Sequence, residues 1–301
     1  LVIILLFPVA YGVDFRWVTI KRDEEGEQEG KGLLDGDYLQ AQRLSERIAS
    51  ETDQPLFYID MQGEVAESRR AFEDDPMVRE ALAIVEERGD VLGHGLSHVR
   101  KVAVDAGALV LAEMDMKAPG EERQRMLLLA HLAGLLHDIR REQPEHAQRG
   151  ADEAEVILRD FDLEERERKA IVQAIRNHEA FKPEEPLEEP SLQLLSDALY
   201  DADKFRWGPD NFTETVWMMV APFEVPLSAL LGHFDTSLAG IVRIKETFRT
   251  PTGRQYGPDF IDKGLEIGEK LYEELVKTHG LSEGEIQQVD RNDPKGPERE
   301  N

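Results

Sequence analysis

His137 and Asp138 stand side by side at the end of an apolar run, Met126 to Leu136, in a chain of 301 residues. Imidazole nitrogen and carboxylate oxygen together suit first-row divalent metals, so an adjacent His-Asp pair is a natural half of a metal site. Candidates for the other half lie on both sides: His98 within Gly93 to Val102, His178 closing Ala174 to His178, and two aspartates, Asp201 and Asp203, within Leu199 to Phe205. The chain has no cysteine, so any metal must be held by His, Asp or Glu, and no disulfide framework exists.

The segments that carry these residues are helical by pattern. Asp75-Pro76 opens a helix to Arg88, with proline in the first turn where its missing N–H costs nothing. Further helices are expected over Ser97 to Glu113, Glu121 to Arg141, His146 to Asp160, Leu163 to His178 and Ser191 to Phe205. Lys182 to Pro190 is a proline-punctuated acidic loop over the rim of the site. Phe212 to Val220, Leu227 to Phe248 and Asp259 to His279 continue the helical periodicity. Residues 1–65 read differently, as a small α/β appendage: a buried strand near the start, preferred over a targeting segment, then a polar loop from Lys21 to Gly36, a helix from Asp37 to Thr52, and a strand over Leu56 to Asp60 ended by a turn at Met61-Gln62-Gly63. The expected organisation is thus mainly α: appendage 1–65, helical body 66–280, and a disordered tail 281–301.

Composition narrows the function classes. A net charge of -26 argues against binding double-stranded nucleic acid or an anionic membrane surface, because either needs a basic face. Leu1 to Gly12 is apolar but reaches only about half of the ~20 residues that span a bilayer. The absence of cysteine fits a reducing cytoplasm, the expected location. No Gly-x-x-x-x-Gly-Lys phosphate loop is present, which disfavours a P-loop nucleotidase.

The ordered set His98, His137-Asp138 and then an aspartate resembles the HD superfamily of metal-dependent phosphohydrolases, whose signature is His, His-Asp and a final Asp on successive helices. The likeness covers roughly residues 75–280. It extends to Ser97-His98 followed by Arg100-Lys101-Val102, to Leu135-Leu136-His137-Asp138-Ile139, to His146 with Gly150-Ala151, and to Asp201-Ala202-Asp203-Lys204. Phe248 to Arg254 is similar to the Thr-x-x-Gly-Arg stretch of small bacterial HD hydrolases that act on nucleotides. The resemblance implies an HD-domain helical bundle and metal ligands His98, His137, Asp138 and Asp203, with Asp201 the second choice for the last position. It implies a divalent cofactor (Mn, Co, Ni, Fe, Zn or Mg) and a small phosphorylated, nucleotide-like substrate, with a homo-oligomer open. His146 and His178 are candidates for a second metal or for substrate, since some HD relatives bind two metals.

Hydrolysis at phosphorus develops charge on the equatorial oxygens and needs cations nearby. Arg100, Lys101, Arg140, Arg141, Lys204 and Arg254 are available, with Lys204 and Arg100 preferred beside His137 and Asp138 as catalytic residues. His131 is expected to be a packed core residue, His94 a rim residue and Asp197 a solvated one. Several nucleotide-cleaving relatives carry a Glu three residues after the His-Asp aspartate; here that position is Arg141, with Glu142 one residue out of register. The competing readings are a non-catalytic nucleotide sensor or scaffold, a di-iron HD oxygenase, and a structural helical protein.

Overall fold

A computed structural model describes residues 31–88, 95–220 and 227–279. The helices are α1 (Lys31–Glu51), α2 (Leu56–Asp60), α3 (Gln62–Asp74), α4 (Pro76–Arg88), α5 (Leu96–Glu113), α6 (Gly120–Leu136), α7 (His146–Ile157), α8 (Glu165–Arg176), α9 (Pro190–Phe205), α10 (Val216–Val220), α11 (Leu227–Gly232), α12 (Phe234–Val242) and α13 (Pro251–His279). No strand occurs among the described residues, and no helix there is long and apolar enough to cross a membrane.

The centre of the bundle follows from composition. Residues 102–111 of α5 and 126–136 of α6 are buried without a break, as expected of helices apolar on every side. α5 packs against α6, α9 and α3, and α8 bridges α7 and α9. Gly134 sets the closest approach: a Cβ there would lie 2.4 Å from the Cα of Ala103, so only glycine lets α6 close onto α5 at this height. That crossing lies one turn before His137 and just over one turn after His98, so it brings the two histidines together.

Around this centre, α4 starts as expected, with Asp75 Oδ1 accepting from the backbone N–H of Met77 at 2.8 Å. α8 opens on a capping box between Glu164 and Glu167. Both carboxylates of that turn complement the helix dipole.

Several expectations are corrected. Leu56 to Asp60 is a helix, not a strand, so the described part of the N-terminal segment holds helices and no strand. A short apolar run fits either state by pattern, and here tertiary contacts decide: Phe57 is fully buried among Phe205, Tyr256 and Phe260 at ring separations of 5.1, 5.9 and 6.1 Å. Met61 to Gly63 runs directly into α3, which ends at Asp74. The helix expected to reach Arg141 stops at Leu136, leaving His137 and Asp138 in the turns that follow. Leu227 to Phe248 divides into α11, α12 and a 3-10 turn, Arg243–Glu246, while α13 begins eight residues before the expected Asp259 and runs through Pro258. The strand expected near the start, the polar loop up to residue 30, His94 and the tail 281–301 lie outside the described residues.

Candidate metal centre

Five elements deliver six side chains to one buried place. The first turn of α5 carries His98, the turn after α6 carries His137 and Asp138, the first residue of α7 is His146, His178 follows α8, and the last turn of α9 carries Asp203. His98 Nε2 lies 3.2 Å from His137 Nε2 and 3.4 Å from Asp203 Oδ1. His137 Nε2 lies 3.4 Å from Asp138 Oδ2 and 3.6 Å from Asp203 Oδ1. The other oxygen of Asp138 faces away from these, 3.4 Å from His178 Nε2 and 3.8 Å from His146 Nε2. Asp138 thus stands between two triads, His98/His137/Asp203 and Asp138/His146/His178, each with ligand atoms close enough to hold one ion.

The tautomers can be read from the backbone. His137 Nδ1 is 2.8 Å from the carbonyl of Gly134, and His178 Nδ1 is 2.6 Å from that of Ile175. A carbonyl only accepts, so each Nδ1 carries a proton, and Nε2 is the atom by which each ring can bind an ion once it is free of a proton. Loss of the proton from His137 Nε2 leaves a lone pair converging with the carboxylate oxygens of Asp138 and Asp203. Ligand atoms about 2.0 to 2.2 Å from a shared ion stand roughly 3.0 to 3.5 Å apart, close to what is found here. The donor set fits a divalent metal, with carbonyl-oriented histidines of the kind metal sites use.

Charge in the cluster follows from burial and partners. Burial opposes charge on His137, but the Asp138 and Asp203 carboxylates beside it outweigh this and hold its imidazole up at about 10. His98 goes the other way, because burial dominates. Burial alone would also favour the neutral acids, yet His137 and Arg141 hold Asp138, and Lys204 and His137 hold Asp203, well below the usual carboxylate range. Burial and then Arg141 push His146 down to about 2, so its ring is neutral. Lys204 is buried and donates to Asp203 Oδ2 at 2.5 Å, leaving Oδ1 to face the histidines.

The remaining candidates are placed elsewhere. Asp201 Oδ1 accepts from the backbone N–H of Arg249 and Oδ2 from that of Thr250, both at 2.8 Å, and Oδ2 also accepts from the Thr250 hydroxyl. It anchors the start of α13, where a Cβ on Gly253 would meet its carboxylate at 1.9 Å. The Thr-x-x-Gly-Arg stretch therefore docks on the α9 aspartate that faces away from the histidines. Arg100 rests on Glu86 at an exposed position, Lys101 on Asp210 and Glu214, and Arg140 on Glu153. Arg254 donates to the carbonyl of Phe248. Glu142 accepts from Gln143, and Asp197 from Gln193. His131 is a core residue, its Nε2 3.0 Å from Ser68 Oγ and its ring edge-on to Phe72.

Two features have little or no signal in the sequence. Arg141 Nη1 lies 2.7 Å from Nε2 and 3.4 Å from Nδ1 of His146, so the guanidinium crosses the ring face. Behind the site, Arg206 pairs with Asp105 and Asp210, while the Tyr58 hydroxyl donates to Asp105 at 2.8 Å and accepts from Arg206. The only hint in the sequence is Asp105 itself, an acid seven residues from His98 on the apolar face of α5.

No curated protein and no solved structure matches the chain. A family model does match: residues 95–208 correspond to the HD domain, a span that holds all six cluster residues. Residues 95–208 are accordingly an HD domain, of a superfamily made up mostly of metal-dependent hydrolases.

Proposed function

We propose that this protein is a divalent-metal-dependent phosphohydrolase that cleaves a phosphate ester or anhydride of a small, nucleotide-like substrate. The observation that carries the reading is the convergence of two imidazole Nε2 atoms and two carboxylate oxygens, from His98, His137, Asp138 and Asp203, with His137 oriented by the Gly134 carbonyl. These four residues are the ligands in this reading, and Mn, Co, Ni, Fe, Zn and Mg are all compatible with their donor types. A bound divalent ion supplies two things, an acidified water and polarisation of a phosphoryl oxygen.

The chain's own residues do the rest. The Gly134 carbonyl fixes the tautomer of His137, Lys204 keeps Asp203 ionised and turned toward the histidines, and the buried walls of α5, α6 and α9 exclude bulk water, which strengthens every charge interaction inside. Arg100 has no part in this reading, because its guanidinium is on Glu86. His146 and His178 form with Asp138 a second position that takes another metal or the substrate. That second position favours one alternative, a di-iron oxygenase, which requires both to be filled.

The test is hydrolysis of p-nitrophenyl phosphate and a nucleotide panel by metal-free protein, with Mn2+, Co2+, Ni2+ or Mg2+ added back. Metal-dependent turnover is expected, with a loss of about a hundredfold or more in His137→Ala and Asp138→Ala. Two irons per chain with no turnover of any phosphate would favour the oxygenase.

A further inference from the structure

Anionic substrate must be met by cations that the protein has not already neutralised, and the residues around the site divide sharply on this point. Arg100, Lys101 and Arg140 each sit on carboxylates of their own surface, and Lys204 is on Asp203. Arg141 differs: among the described residues its guanidinium has no carboxylate partner within ion-pair distance, in a chain with 62 acids against 36 lysines and arginines. Its contact is the face of the His146 ring.

Its position is set by the turn that also sets the ligands. The backbone N–H of Arg141 donates to the carbonyl of Asp138 at 3.0 Å, so the side chain leaves the backbone one turn beyond the His-Asp pair. It is half-buried at the edge of the cluster, while His137 and His178 are buried deeper.

We propose that Arg141 is the anion-binding residue of this site, contacting a phosphoryl oxygen of the substrate, and that the substrate class it selects is a phosphate monoester dianion. This rests on the metal-dependent reading above and deepens it. With one divalent ion bound, the charges of the ion, Lys204 and Arg141 together exceed those of Asp138 and Asp203 by two. A terminal phosphate carries two negative charges and matches this excess, whereas a diester carries one and, with one of its two free oxygens on the metal, leaves a single oxygen for the guanidinium.

The experiment titrates the full-length protein with Mn2+ and then with inorganic phosphate, for wild type, Arg141→Gln, Arg141→Lys and Arg100→Gln, each checked by circular dichroism. Expected are unchanged Mn2+ binding in all four and phosphate affinity lowered about tenfold or more in Arg141→Gln. Arg141→Lys should recover part of it, and Arg100→Gln should match wild type. In turnover, Arg141→Gln should raise KM for p-nitrophenyl phosphate and leave bis-p-nitrophenyl phosphate little changed. Phosphate affinity of Arg141→Gln within twofold of wild type overturns the assignment. If wild type binds no Mn2+, the metal reading fails by itself, and phosphate titrated into the metal-free variants still decides whether Arg141 holds the anion.

Discussion

Helices α5 and α9 build two buried polar clusters against each other, and the clusters are finished in opposite ways. One is made of Asp105, Arg206, Asp210 and Tyr58, in which the guanidinium lies on both carboxylates and the hydroxyl closes the ring of contacts. The other, two turns along α5 and one turn along α9, gathers His98, His137, Asp138 and Asp203, whose carboxylates hold a proton on His137 when no metal is bound. The first contains a permanent cation, Arg206, and the second is closed by a proton that an ion can displace. Buried polar groups are ordinarily satisfied by fixed partners, so the cluster closed by an exchangeable proton is the one suited to act on something bound.

Removing the internal cation separates the two clusters most strongly. Arg206→Ala leaves Asp105 buried beside Tyr58 with no counter-charge and should cost about 3 to 5 kcal/mol of stability in chemical denaturation, equally with and without Mn2+. Asp203→Asn should behave differently. Wild type gains about 2.7 kcal/mol when Mn2+ is present at a hundred times its Kd, and that gain should vanish in Asp203→Asn while Arg206→Ala keeps it. If Mn2+ stabilises Asp203→Asn as much as wild type, the two clusters do not differ as described.

A second, smaller effect follows from the proton that stands in for the metal. With its imidazole held at about 10, His137 is charged at neutral pH in the metal-free protein, and its proton must leave before Nε2 can bind an ion. Mn2+ affinity should therefore rise with pH by about tenfold per unit between about pH 7 and 9, with one proton released per ion, as titrations in buffers of different ionisation enthalpy will show. The stability contribution of metal-free His137 runs the other way. Its native value is raised above the ordinary 6.5, so that contribution is complete below about pH 6.5 and fades as pH climbs through about 10. A pH-independent affinity over this range would mean that His137 is neutral before metal arrives.

The metal-facing cluster was legible in the sequence, and the self-satisfied one was not, for a physical reason. His98, His137, Asp138 and Asp203 are each conspicuous as polar residues in apolar helices, and their order along the chain carries the HD likeness. Arg206, Asp105 and Tyr58 are ordinary residue types whose meaning exists only in the fold: Arg206 meets Asp105 across 101 residues and Tyr58 across 148. The same limit bears on Arg100, since proximity to His98 in sequence does not say which way a side chain leaves its helix, and its guanidinium lies on Glu86. It also explains Leu56 to Asp60, where the pattern admitted a strand and the aromatic pocket around Phe57 imposed a helix.

A weaker effect concerns whether the second triad is held at a cost. The two non-glycine residues with positive φ among those described are Glu145 at 56° and Phe181 at 62°, one directly before His146 and the other three residues after His178. The left-handed conformation costs a residue with a Cβ about 1 to 2 kcal/mol, and such strain gathers where geometry is imposed by function. Glu145 is exposed, so trimming its side chain takes little packing away and the backbone effect can be measured cleanly. Glu145→Gly removes the steric cost but adds freedom to the unfolded chain, by about 0.4 to 1 kcal/mol. The net expectation is a stabilisation of at most about 1 kcal/mol in chemical denaturation, with Mn2+ binding at His98, His137, Asp138 and Asp203 unchanged. A destabilisation of more than about 1 kcal/mol would show instead that the glutamate side chain itself locks the turn, and that His146 is placed by it and not by α7.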